Sequence, residues 1–141
     1  MRALLIGLLL VVMIAVVVFS DADASPLTSG CQPSPMLLRG ANFGTLCPGG
    51  QEDLYYFRAR HDDSVTIVME SRSTVTPKLE LWDCCVGSGN VLASSSDSSK
   101  TCLSGFQLPY TGTYAIRAGS RDESTGTYKI WLRFNSSSCE F

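Results

Sequence analysis

Bulky apolar side chains recur at every second position in a series of short runs. In Asp53-Leu54-Tyr55-Tyr56-Phe57-Arg58-Ala59, the residues Tyr55, Phe57 and Ala59 fall on one side, and Leu54, Tyr56 and Arg58 on the other. The same period sets Val65, Ile67 and Met69 together, then Leu79 with Leu81, Tyr114 with Ile116, and Tyr128, Ile130, Leu132 and Phe134. Successive side chains of an extended chain point to opposite faces, so this pattern predicts half-buried strands with those residues inward. Polar and glycine-rich stretches separate the runs at Pro48-Gly49-Gly50, His61-Asp62-Asp63-Ser64, Gly87-Ser88-Gly89-Asn90, Pro109-Tyr110-Thr111-Gly112 and Gly119 to Gly126. These read as turns.

Weaker signals fill the remainder. Leu37 and Leu38 can begin an edge strand behind Pro33 and Pro35. Arg39 to Cys47 is glycine-broken and reads as a short strand with a loop, and Cys102 to Leu108 as a further strand. Val91-Leu92-Ala93 is a short run, and Ser94 to Lys100 a serine-rich loop. After Ser25 no segment keeps the 3.6-residue period of a helix for three turns. The expectation is an all-β chain of seven or eight strands in an antiparallel sandwich.

The first residues carry a different message. Arg2 precedes a wholly apolar or glycine run, Ala3 to Phe19, and Ala22-Asp23-Ala24 has the small-x-small form of a signal peptidase site. Residues 1–24 are expected to be a signal peptide cleaved after Ala24, with retention as a membrane anchor the alternative. The mature chain is then secreted and makes no membrane contact. It divides into an irregular lead-in at 25–38, a sandwich at 39–135 and a tail at 136–141.

The 141-residue chain has a formal charge of −2. Removing Arg2, Asp21 and Asp23 leaves ten basic and eleven acidic residues with no basic cluster, which argues against nucleic acid as a partner. All six cysteines, Cys31, Cys47, Cys84, Cys85, Cys102 and Cys139, follow the expected cut. An even count in a short exported chain points to disulfides. No Cys-x-x-Cys pair occurs and His61 is the sole histidine, so a zinc site is not expected. Of the 15 pairings that six cysteines allow, a bond from Cys84 or Cys85 to Cys102 across a hairpin is the first choice. The remaining cysteines would tie the two ends to the body.

Catalytic machinery is not evident. His61 lies in a polar turn, and no Gly-x-Ser-x-Gly elbow is present. The carboxylate pairs Glu52-Asp53, Asp62-Asp63 and Asp122-Glu123 sit in or beside turns, where solvation is the ordinary role. Calcium would need six or more converging oxygens, which adjacent residues of one strand do not supply. No cofactor is expected.

Binding is the better prospect. With the even-spaced residues inward, Tyr56, Trp82 and Trp131 point outward among Arg58, Lys78, Lys129 and Arg133. An aromatic ring with cationic neighbours suits stacking on a sugar or packing against a protein. The candidate ligand-binding residues are Tyr56, Arg58, Trp82, Trp131 and Arg133, with Trp82 and Trp131 expected on one sheet face. Asn135-Ser136-Ser137 fits the N-glycosylation pattern of a eukaryotic secreted protein.

Several of these runs, taken in order, resemble the bacterial pre-peptidase C-terminal domain family. The resemblance rests on Gly50-x-x-Asp53-x-Tyr55-x-Phe57, Val65-x-Ile67, Leu79-x-Leu81-x-Asp83, Leu92-Ala93-Ser94-Ser95, Gly112-Thr113-Tyr114 and Gly126-Thr127-Tyr128-x-Ile130, and spans residues 39–134. It implies a jelly-roll β-sandwich that accompanies secreted proteases without catalysing, some members binding matrix polymers or calcium. This chain departs from the pattern: it carries no protease, it has six cysteines, and Pro77-Lys78 stands where an acidic residue is common. The expected function is a secreted, non-catalytic module that recognises an extracellular glycan or protein. The alternatives are an inhibitor of an extracellular enzyme and a small hydrolase.

Overall fold

A computed structural model describes residues 36–140 except 39, 49 and 85, and not the side chains of Met36 and Leu37. The expected signal peptide, Cys31 and Cys85 lie outside the described residues. Nine strands follow one another: β1 (Met36–Leu37), β2 (Ala41–Leu46), β3 (Asp53–Ala59), β4 (Ser64–Ser71), β5 (Pro77–Asp83), β6 (Val91–Ser96), β7 (Lys100–Gln107), β8 (Gly112–Ser120) and β9 (Gly126–Phe134). One sheet has the order β1-β3-β8-β5-β6 and the other β2-β9-β4-β7. All pairings are antiparallel except the two-residue β1, which runs parallel to β3. From β2 to β9 the chain changes sheet at every connection except the β5–β6 hairpin. This is a jelly-roll sandwich. Among the described residues no helix is long and apolar enough to cross a membrane.

The period of two places the core. Tyr55, Ile67, Met69, Leu79, Leu81, Tyr114, Ile116, Tyr128 and Ile130 are fully buried between the sheets. Each such side chain removed from water contributes roughly 1.5–3 kcal/mol. Burial also forces polar atoms to pair. Tyr128 donates a hydrogen bond to Asp53, and Tyr55 lies 2.7 Å from the Tyr128 hydroxyl.

Four expectations change. Phe134 is not inward: it ends β9 beyond the closed part of the core and is 43% exposed, its ring edge on Phe57. Ser94 to Ser96 are not loop but strand, paired with Lys78 to Glu80. Arg39 to Cys47 yields a full six-residue edge strand, β2. Cys102 pairs with Cys139, not with Cys84 or Cys85, and Cys47 is also disulfide-bonded.

The Cys102–Cys139 bond follows from how the chain leaves β9. Asn135 takes a left-handed φ of 54°, which asparagine tolerates better than most residues, and its N–H donates to Ser64 O at 2.7 Å. The tail then folds back over the second sheet. Thr66 Oγ1 and Ser104 Oγ donate to the carbonyls of Ser136 and Ser137, and Arg133 Nη1 donates to Glu140 O at 2.6 Å. Thr66 and Val68, which the pleat directs outward, are therefore fully buried.

Candidate functional site

Pleat phase predicted which aromatics face outward, but the strands distribute them between two sheets. Trp82 lies on β5 of the five-stranded sheet and Trp131 on β9 of the four-stranded sheet. The expectation of one face holding both tryptophans is thus corrected. Tyr56, Arg58 and Trp82 belong to one outer surface, Trp131 and Arg133 to the other.

On the five-stranded sheet, Tyr56 and Trp82 flank Ala115 of the central strand in register. Trp82 is held in an ionic network. Its Nε1 donates to Glu80 Oε2 at 3.1 Å, and the Arg117 guanidinium lies 5.5 Å from its ring centroid. Glu80 accepts Arg117 Nη2 at 2.8 Å and Lys78 Nζ at 2.9 Å. Arg117 Nε also approaches Glu52 Oε2 at 3.2 Å, an ion contact without hydrogen-bond geometry. Burial alone would raise the Glu80 carboxyl, but its bonds to Lys78, Arg117 and Trp82 bring it below the usual range. With partners already present for these charges, the network around Trp82 has little left to offer a ligand.

The four-stranded sheet differs. Its β4–β7 half lies under the tail, whereas its β2–β9 half carries Phe43, Lys129 and Trp131. Phe43 stands opposite Lys129 and Ala41 opposite Trp131 in the ladder. The Lys129 ammonium sits 5.6 Å from the Phe43 ring and 4.1 Å from the Trp131 ring, so one cation bridges two aromatics. Phe43 is 68% exposed, the most of any large apolar side chain among the described residues. The sequence pattern did not single it out, because the glycines around it disguised β2.

β2 is also an edge, and among the described residues no strand pairs with its far side. Leu132 N donates to Gly40 O at 3.3 Å. Counting along the ladder from that pair, Asn42, Gly44 and Leu46 bond to β9. The N–H and C=O groups of Ala41, Phe43 and Thr45 point to the open side. Ala41 to Leu46 contains no charge and no proline, the usual devices that keep an edge from pairing.

Each carboxylate pair has at least one member with a structural partner. Asp53 accepts from Tyr128, Glu52 faces Arg117, and Asp63 accepts the Arg60 N–H at 2.7 Å. Asp122 accepts from Ser124, whose N–H lies 3.1 Å away, and from the Ser120 and Thr76 hydroxyls, each at 2.7 Å, and these bonds hold it far below the usual carboxylate range. Among the described residues no group of three His, Cys, Asp or Glu is arranged to hold a metal ion. His61 is exposed, with Nδ1 2.9 Å from Asp62.

The sandwich superposes on the pre-peptidase C-terminal domain of collagenase from Bacillus anthracis with a TM-score of 0.58 and 17% identity, over 74% of this chain and 100% of that one. The fold is that of a pre-peptidase C-terminal domain. A second likeness is PliG of Aeromonas hydrophila, a periplasmic lysozyme inhibitor of g-type lysozyme, with TM-score 0.55, 10% identity, and coverage of 72% and 96%. No family model and no curated protein matches the chain in sequence. Within the pre-peptidase C-terminal fold, Pro77 is buried at the start of β5 and the Lys78 ammonium is committed to Glu80.

Proposed function

We propose that this chain is an extracellular, non-catalytic binding module that grips an extended segment of another protein along β2 and the adjoining Phe43–Lys129–Trp131 surface. The observation that carries this reading is Phe43, 68% exposed on an uncharged edge strand. A partner strand laid against β2 would satisfy the outward backbone groups of Ala41, Phe43 and Thr45 and cover the aromatic pair beside them. Backbone bonds give such an interface affinity, and flanking side-chain sites give it selectivity. A polysaccharide could stack on the rings but offers no regular series of amide partners for the edge, which favours protein over glycan. The Cys102–Cys139 bond accords with an oxidising compartment.

A narrower reading, inhibition of an extracellular enzyme, draws support from the shared fold of the Aeromonas lysozyme inhibitor. The test is binding of the refolded chain, from residue 25 onward, to immobilised g-type lysozyme, a panel of secreted hydrolases and a glycan array. Binding to a protein that Phe43→Ala weakens at least tenfold supports the proposal, and inhibition of that protein supports the narrower reading. Binding to glycans alone, or to a protein with no loss in Phe43→Ala, contradicts it.

A further inference from the structure

We infer that a second site, at one end of the sandwich, takes a carboxylate carried on an apolar stem. A cavity of about 480 Å³ opens there, lined by Arg58, Arg60, Asp63, Thr111, Thr113 and Phe134 together with Ala59 and Gly112. That volume lies in the range of small-ligand pockets, roughly 300–1,000 Å³.

Three features define its chemistry. First, Arg58 near the end of β3 and Arg60, which opens the turn just after it, both line the cavity. Two guanidiniums lining one cavity can both donate to a single carboxylate, whose paired oxygens match their planar forks. Second, neither guanidinium has an ion-pair partner among the described residues, unlike Arg117, which is neutralised by Glu52 and Glu80. Asp63, the acidic residue in the lining, accepts the backbone N–H of Arg60. Third, the Phe134 ring is 43% exposed and forms an apolar wall beside the cations. Thr113 stands opposite Arg58 in the β3–β8 ladder and adds a hydroxyl, while the Thr111 hydroxyl is fixed by accepting His61 N–H at 2.9 Å.

Paired cations next to an aromatic wall select an amphipathic acid over a fully hydrated inorganic anion. Both a peptide C-terminus and a glutamate side chain supply that chemistry. The site is separate from the β2 edge and does not depend on it.

Four probes test the inference by calorimetry on the chain from residue 25 onward: acetyl-Gly-Phe with a free carboxylate, the same peptide as its amide, acetyl-Gly-Glu-amide, and inorganic sulfate. At least one carboxylate peptide is expected to bind, and the Phe amide at least tenfold more weakly than the Phe acid if the C-terminus is the source. Binding of the Glu amide in place of the Phe acid would assign the side chain as source. Arg58→Gln/Arg60→Gln, checked for native circular dichroism, should lose at least tenfold affinity, and Phe134→Ala several-fold. Phe43→Ala should leave it unchanged. The inference is overturned if neither carboxylate peptide binds, if sulfate binds as tightly as the peptides, or if the folded double variant retains wild-type affinity.

Discussion

Gly44 and Tyr128 face each other across the β2–β9 ladder, and a β-carbon at position 44 would lie 2.2 Å from the Tyr128 ring. The phenol lies directly beneath the edge strand, where it reaches Tyr55 and Asp53. One hydrogen atom in place of a side chain thus joins the buried polar chain to the proposed binding edge.

Gly44→Ala should therefore destabilise the domain, by about 1–3 kcal/mol from overpacking. Urea denaturation measures this directly. In a Tyr128→Leu background the same substitution should cost less, because the contacting ring has been removed; equal costs in both backgrounds would show that Tyr128 is not the obstacle.

Alkaline stability reports the same hydroxyl chain. Burial pushes the Tyr55 phenol up to about 12, from an ordinary 10.0, and moves Tyr128 in the same direction. The folded state holds these protons more tightly than the unfolded state. The stabilisation is complete below about pH 10 and is lost as pH rises through the folded value. Thermal melts should show stability falling between pH 10 and 12, by on the order of 2 kcal/mol for Tyr55. Tyr55→Phe should make that fall shallower, at a cost of about 1 kcal/mol at neutral pH.

The Glu80 network has the opposite sign. Its carboxyl is lowered in the folded state, so its contribution is present above the ordinary glutamate range and lost as pH falls through the folded value. Glu80→Gln weakens the partners of Arg117, Lys78 and Trp82 and should cost about 1–3 kcal/mol at pH 7. The gap between wild type and variant should narrow in acid. A gap that stays constant would show that charge at Glu80 contributes nothing.

Much of the fold could be read from alternation alone, since Tyr55, Phe57, Leu79, Leu81, Tyr114, Ile116, Tyr128 and Ile130 are inward as their spacing predicts. The site was less legible. Pleat phase says that Trp82 and Trp131 leave the core, but not that they leave through opposite sheets, because sheet membership is decided by pairings distant in sequence. Serines of low strand propensity concealed the end of β6, and glycines concealed β2. The bond of Cys102 to Cys139 depended on a reversal at Asn135, whose left-handed backbone has only a weak local signature.

Replacing both Cys102 and Cys139 with serine should cost roughly 4 kcal/mol, from a closed loop with a sequence separation of 37. It should also release the tail from Thr66 and Val68. Hydrogen exchange should then rise in β4 and β7 while β3 and β8 keep their protection. Unchanged protection of β4 would mean that the tail stays docked through its hydrogen bonds alone.

The dissociation constant of a protein partner for wild type and for Phe43→Ala is the most direct test of the binding face. The proposed grip along β2 predicts at least a tenfold loss, about 1.4 kcal/mol or more, with the variant's melting temperature unchanged. Equal affinities for the two folded proteins would contradict it.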